Sequence, residues 1–260
     1  MKTYALPVLA NKQVSQRYWH MVVDTSAVNE PIHAGQFFHI LCHDGWTPFL
    51  RRPLSIYRIF SDRIEFLYLV KGAGTKKMTA FRPGDRIDVM GPLGEGFTLE
   101  PNATKILHLA RGVGIATLAA IAQEAAEKNV TSLAVLSARS PNDLLAADEL
   151  RVSGAEVHLV TDEEGTSDVP NVKRLLEELL TTHHIDQMFT CGSNRLARLA
   201  QELSSTHGVP GEIALEEHMG CAMGVCFACV CDIKKEDGAL QSVRVCREGP
   251  VFGLEEVVLR

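Results

Sequence analysis

The chain has 260 residues, 46% of them hydrophobic and 22% charged, with a formal net charge of −6. That length and apolar content suffice for more than one core, while the acidic balance and the absence of any lysine or arginine run remove the electrostatic case for nucleic acid or an anionic membrane surface. No apolar stretch approaches the length that spans a bilayer and residues 1–12 lack a leader pattern, so seven cysteines point to a reducing, cytoplasmic setting rather than a disulfide framework.

Residues 3–97 read as short strands broken by Pro and Gly, with apolar runs at 35–41, 54–59 and 64–70, a spacing that predicts a small antiparallel β-barrel. The pattern changes near residue 100. An apolar strand at 105–110 passes through a glycine turn into a helical pattern at 115–128 and a further strand at 133–136, which is a β-α-β unit. Alternation continues through 143–151, 156–161, 172–181, 187–191 and 193–204, predicting a parallel α/β domain. From residue 211 a cysteine-rich module follows. The expected fold is therefore multidomain, with a barrel over 1–99, an α/β domain over 100–210 and a small module over 211–260.

Three stretches of the barrel invite a ligand. Arg52-Pro53-Leu54-Ser55 offers a guanidinium for a pyrophosphate and a hydroxyl for a ring or sugar, although a proline-stiffened strand entry explains it equally. Lys71-Gly72-Ala73-Gly74-Thr75 offers a flexible backbone that can approach a phosphate. Gly91-Pro92-Leu93-Gly94-Glu95-Gly96-Phe97 closes the barrel and reads equally as a plain turn.

The strongest chemistry lies near the C-terminus. Cys221, Cys226, Cys229 and Cys246 follow the C-x4-C-x2-C…C pattern of a plant-type [2Fe–2S] site, with small residues between the thiols that let backbone wrap an anionic cluster. A structural zinc site would favour separated C-x2-C pairs. Cys231 lies two residues beyond Cys229 and on the same face of a strand, so it competes with Cys246 for the fourth place. His218 reads as a solvated or hydrogen-bonded side chain.

The order Arg-Pro-Leu-Ser, Gly-x-Gly-Thr, Gly-Pro-Leu-Gly-x-Gly-Phe and β-α-β resembles the ferredoxin-reductase family, with its FAD barrel and pyridine-nucleotide domain. Glu216-Glu217-His218-Met219-Gly220 before the cysteines and Cys246-Arg247-Glu248-Gly249-Pro250-Val251-Phe252 after them narrow that resemblance to the electron-transfer subunits of class 1B dihydroorotate dehydrogenases. The resemblance implies FAD held by Arg52, Pro53, Leu54, Ser55, Leu67, Tyr68, Leu69, Gly74 and Thr75, with the cluster on Cys221, Cys226, Cys229 and Cys246. It also implies NAD near Gly112, Gly114, Cys191 and Gly192. By the same resemblance the partner is an FMN-containing catalytic subunit in a heterotetramer, in which dihydroorotate becomes orotate during pyrimidine biosynthesis. Other electron-transfer assemblies share these parts, among them bifurcating ferredoxin:NADP oxidoreductases and sulfhydrogenases, and so would a regulatory relative without NAD binding.

The chain departs from the family pattern at several places. Relatives often carry arginine where Leu69 stands. The nucleotide turn usually reads as a glycine run followed by Ala-Pro, but here it is Ala110-Arg111-Gly112-Val113-Gly114-Ile115-Ala116-Thr117. Arg111 has two readings, a cation that reaches a phosphate or a bulk that fills the nucleotide's space. Cys191-Gly192 is kept, without the Pro and Met that usually follow; Ser193 reads alternatively as a helix cap.

Overall fold

The computed structural model describes residues 1–43, 45 and 47–259. The first unit contains β1 (Thr3–Gln13), β2 (Tyr18–Asp24), β3 (Phe37–Ile40), β4 (Arg52–Ser55), β5 (Arg58–Ile59), β6 (Arg63–Leu69) and β7 (Arg86–Leu93), with a short helix α1 (Ala73–Met78) between the last two strands. These strands form one curled antiparallel sheet in the order β4-β3-β7-β1-β2-β6-β5. The expected run at 54–59 is two strands, because the chain leaves β3 after Ser55 and pairs with β6 from Arg58.

β6 is the strand that couples the two larger units. Its side chains alternate with period two. Ile64, Phe66 and Tyr68 enter the barrel core with Met21, Phe38 and Ile40, while Leu67 on the opposite face joins Tyr18 and Tyr57 against Ile115, Ala116 and Ala119. Each large apolar side chain buried this way contributes roughly 1.5–3 kcal/mol relative to exposure, so β6 commits both of its faces to packing.

The second unit follows as β8 (Lys105–Arg111), α2 (Ile115–Glu127), β9 (Thr131–Ala138), α3 (Ala147–Val152), β10 (Glu156–Thr161), α4 (Val169–Thr182), β11 (Gln187–Cys191), α5 (Asn194–His207) and β12 (Gly211–Ala214). Its strands are parallel in the order β10-β9-β8-β11-β12, with near-continuous burial in β8 and β9 as expected of strands covered on both faces. Order reverses between β8 and β11, and the crevice outside the carboxyl ends of those two strands is where such sheets bind ligands. The helix in the stretch 143–151 begins late, at Ala147, because Pro141 opens a 3-10 turn over Pro141–Asp143. Helix starts are capped as their residues dictate: the Asp168 carboxylate accepts from the Asn171 N–H at α4, and Ser193 Oγ accepts from the Leu196 N–H at α5.

The C-terminal segment adds the hairpin β13 (Val230–Lys234) and β14 (Leu240–Arg244), then β15 (Val251–Gly253), which pairs antiparallel with β12. The six-stranded sheet thus includes residues on both sides of position 211, with β12 and β15 reaching into the cysteine segment's range. One apolar cluster joins Phe37, Met90 and Leu93 of the barrel to Ala222, Cys229, Val245 and Cys246. Among the described residues no helix is long and apolar enough to cross a membrane.

Candidate functional site

A cleft of about 240 Å³ opens between the barrel, the α/β sheet and the cysteine segment. It is lined by Arg52, Pro53, Leu54, Ser55, Leu67, Tyr68, Leu69 and Thr75, which are barrel residues singled out in the sequence. β4 and β6 lie near opposite edges of the strand order, and the curl of the sheet brings their residues together at the cleft. Gly74 stands directly behind them, since a Cβ there would lie 2.8 Å from Arg52 Nε and 3.1 Å from Cys42 Sγ. Arg52 Nη1 donates to the carbonyls of Leu50 (2.7 Å) and Arg51 (3.1 Å), so one arm of the guanidinium is anchored while its other donors stay available to an anion at the cleft. The Lys71–Thr75 stretch, expected as a flexible loop, instead starts α1. Thr75 Oγ1 accepts from the Lys71 N–H at 3.0 Å and donates to the Gly72 carbonyl at 3.2 Å.

The far wall comes from the other units: Val113, Ala116 and Thr117 at the start of α2, then Leu215, Glu216, Glu217, Met219 and Pro250. Thr117, where the family pattern has proline, therefore faces the cleft, and its Oγ1 takes the Cys191 Sγ–H at 3.6 Å. Burial pushes the Cys191 thiol well above its ordinary range. Cys191 thus sits behind Thr117, and Gly192 lines a second lobe of about 140 Å³ that meets the first at Leu215, Glu216 and Glu217. Glu216 is open to the solvent of the cleft yet crowded by protein, and that crowding raises its carboxyl above the usual range against the opposing charge of Lys71. The sequence marked Glu216 only as part of a motif; its place in the site depends on a chain reversal that local pattern does not encode.

The nucleotide turn is shaped by backbone contact. A Cβ on Gly114 would lie 2.4 Å from the Cys191 carbonyl oxygen, and one on Gly192 would lie 2.3 Å from that of Arg111. The loops after β8 and β11 thus interlock at the switch point, which accounts for glycine at both places without a ligand. Gly112 takes φ +54 and opens the 3-10 turn Gly112–Gly114. No side chain caps that turn or α2, and no acid stands in the first turn of α2. The N–H groups there remain open to a pyrophosphate at the helix's positive end. Arg111 does not lean over this turn. Its Nη1 donates to Ser137 Oγ at 2.7 Å and its Nη2 pairs with Asp162 Oδ2 at 2.5 Å.

The cysteines stand in two pairs. All four are free thiols, and Cys221 hydrogen-bonds with Cys226 while Cys246 hydrogen-bonds with Cys229. A [2Fe–2S] cluster has two tetrahedral irons bridged by two sulfides, so each iron takes two thiolates, and this two-plus-two division fits it. Among the described residues no three or more His, Cys, Asp or Glu side chains gather about a single point as a one-ion site requires. Backbone serves the anion as well: the Met223 N–H donates to Cys221 Sγ at 3.3 Å, with those of Val225 and Cys226 also directed there. Burial alone would raise the Cys221 thiol, but these donors outweigh it and bring the group down to about 6. Burial and the neighbouring Cys229 push Cys246 up. The loop holds Ala222 at φ 53 and Phe227 at φ 57, left-handed conformations that cost a non-glycine residue about 1–3 kcal/mol each. Cys231 lies in β13 opposite Val243 and packs into the shared core. His218 is exposed.

Cleft and cysteines are close along the chain. Met219 lines the cleft two residues before Cys221, a span of at most ~7 Å, and Pro250 lines it four residues after Cys246, at most ~14 Å. The Gly91–Phe97 motif holds them together, because the Glu95 N–H donates to the Gly249 carbonyl at 2.7 Å.

A curled antiparallel sheet followed by a doubly wound domain and a four-cysteine loop is the architecture of a ferredoxin-reductase-like electron-transfer protein. A chain of the NADH-dependent reduced ferredoxin–NADP oxidoreductase superposes with a TM-score of 0.82 at 25% identity, covering 99% of this chain and 91% of that one. Phthalate dioxygenase reductase superposes at 0.65 and 15% identity, covering 94% and 77%. Residues 216–258 match the model of the iron–sulfur cluster binding domain of dihydroorotate dehydrogenase B. The electron transfer subunit of dihydroorotate dehydrogenase B (NAD(+)) from Desulforamulus reducens is 32% identical over 99% of this chain and 98% of its own length, and that from Bacillus velezensis 34% identical over the whole of both. The chain belongs to the family of dihydroorotate dehydrogenase B electron transfer subunits.

Proposed function

We propose that this chain carries electrons between a pyridine nucleotide and a catalytic partner subunit, with FAD in the cleft and a [2Fe–2S] cluster on Cys221, Cys226, Cys229 and Cys246. The observation that carries this reading is the shared wall: Met219 and Pro250 belong to the cleft and stand two and four residues from cluster cysteines. A flavin there supplies the conversion between two-electron hydride transfer and the single-electron steps of an iron–sulfur centre. The chain's own residues bind and shield. Arg52 holds the pyrophosphate, Ser55 and Thr75 offer hydroxyls, and Leu54, Leu67, Tyr68 and Leu69 exclude water from the ring's surroundings. Gly74 keeps room for Arg52, and Pro53 stiffens the strand that presents it.

Gly112 opens the turn that presents the helix N-terminus to the nucleotide and Gly114 seats that turn against the β11 loop, while Cys191, Gly192 and Thr117 form the floor where the nicotinamide approaches. Glu216 stands at the meeting of the two lobes, where crowding by protein raises its carboxyl above the usual range. The partner in this reading is an FMN subunit that oxidises dihydroorotate, two of each chain assembling in the cytoplasm. Met223, Val225 and Phe227, 46%, 71% and 63% exposed around the cysteines, give that partner an apolar surface to dock on. The functional division follows residues 1–99, 100–210 and 211–260.

Anaerobic titration of the purified chain with NADH tests the carrier sequence. Flavin and cluster absorbance should bleach together; a flavin left oxidised by excess NADH and by excess NADPH alike would refute the nucleotide link. Similarity to the ferredoxin–NADP oxidoreductase chain favours a second assembly. Co-purification decides between an FMN subunit active on dihydroorotate and a larger flavoprotein.

A further inference from the structure

A dinucleotide at the carboxyl edge of a doubly wound sheet lays its adenosine ribose over the end of the second strand. About 20 residues beyond the glycines, an acid there binds the 2′-hydroxyl of NAD, whereas an arginine accommodates the 2′-phosphate of NADP. The second strand here, β9, ends at Ser137-Ala138 and runs on into Arg139-Ser140, so no acid occupies that position.

Guanidinium groups gather at this edge instead. Arg111 crosses from the end of β8 past Ser137 to Asp162 beyond β10. Arg139 is exposed, and together with Arg111 and with Arg17 from the β1–β2 turn it lies within electrostatic reach of the Tyr18 hydroxyl. Arg195 of α5 donates to the Ser167 carbonyl at 3.1 Å and adds its charge to Arg111's in lowering the Asp162 carboxyl. Two carboxylates are interleaved with these four cations: Asp143 near Tyr18, and Asp162. Glu163 lines the adjoining groove, across which Ser15 Oγ donates to the Asn142 carbonyl at 2.8 Å and ties the Arg17 turn to the α/β unit.

We propose that this edge is a seat for the 2′-phosphate of a phosphorylated dinucleotide, with Arg111 and Arg139 as its ligands and Asp162 as the carboxylate that it displaces from Arg111. The proposal rests on the pyridine-nucleotide reading above and concerns this chain's own residues; the relatives' names carry NAD(+). The exchange is inexpensive. The Arg111–Asp162 pair is 23% and 43% exposed, so solvent already screens it and little holds the two together against a better partner. A phosphate dianion offers the same fork a bidentate, charge-assisted partner. Arg111 thus joins both of its sequence readings: bulk across the ribose seat, and a cation for a phosphate.

The test uses the flavin- and cluster-loaded chain and two fragments without nicotinamide, 2′,5′-ADP and 5′-ADP, with dissociation constants measured by calorimetry. The expected result is at least tenfold tighter binding of 2′,5′-ADP, weakening with salt, and a loss of about tenfold for that fragment alone in Arg139→Ala and in Arg111→Ala. Equal or tighter binding of 5′-ADP, or no binding of either fragment, would overturn the proposal. So would Arg111→Ala tightening 5′-ADP while leaving 2′,5′-ADP unchanged, which would mark Arg111 as an obstruction. Arg139 is exposed, so its variant separates ligand loss from misfolding, and retained flavin and cluster absorbance reports the fold. Bleaching by either NADH or NADPH keeps the electron-transfer reading standing whichever way the fragments divide.

Discussion

At the scale of single residues, the cysteine loop gives the sharpest expectations. Cys246 hydrogen-bonds with Cys229, whereas Cys231 lies across from Val243 in the hairpin core. Cys246→Ser should therefore lose iron and sulfide while Cys231→Ser keeps both, as measured by colorimetric assay on anaerobically purified protein. Cys226 is exposed, so Cys226→Ser removes a ligand with little change in packing and isolates the role of the thiolate. Full iron content in Cys246→Ser together with loss in Cys231→Ser would reverse the assignment of the fourth ligand. These four positions were legible because three of them lie within nine residues, and a spacing rule needs only local sequence. Thr117 and Glu216 were not, since they meet across the cleft from places nearly a hundred residues apart in the chain. Arg111 drew notice as a departure, but its Asp162 partner depends on how far β10 stands from β8.

Elements were legible where periodicity is strong and blurred where a turn competes. The apolar runs of β6, β8 and β11 and the helical pattern of α2 fall within a residue or two of their expected places. The glycines of Lys71–Thr75 suggested an open loop, yet Thr75 caps a helix start there. The glycines after β8 suggested room for a ligand, but at Gly114 the room is taken by the carbonyl of Cys191. Gly192 adds a φ of +101 to a Cβ position 2.3 Å from the Arg111 carbonyl. Gly192→Ala should accordingly destabilise the chain by roughly 2 kcal/mol or more. Gly72→Ala, in open space, should leave stability within about 1 kcal/mol. Denaturant melts of both variants test the contrast, and equal stabilities would mean that the interlock of the β8 and β11 loops is slack.

Across the whole molecule, the joint between barrel and α/β unit holds a titrating group. The Glu212 carboxylate in β12 accepts from the Thr98 N–H at 2.9 Å, just past the barrel's last strand, and Gln187 of β11 pins the same linker through the Thr98 carbonyl and the Glu100 N–H. Burial, with Glu100 adding to it, raises the Glu212 carboxyl to about 7 despite the Thr98 hydrogen bond. A raised acid binds its proton more tightly in the folded chain than in the unfolded one, so stability is greatest below the ordinary carboxylate range and falls as pH rises from about 4.5 through about 7, then levels off. Glu212→Gln keeps an oxygen for the Thr98 N–H and removes the charge. Its melting temperature should match the parent's near pH 4 and exceed it near pH 8, read by flavin fluorescence or calorimetry on the loaded chain. A variant less stable than the parent at pH 8 would mean that the ionised carboxylate's bond to Thr98 outweighs its burial. The joint would then be held by charge, and alkaline conditions would tighten rather than loosen the seam along which the cleft forms.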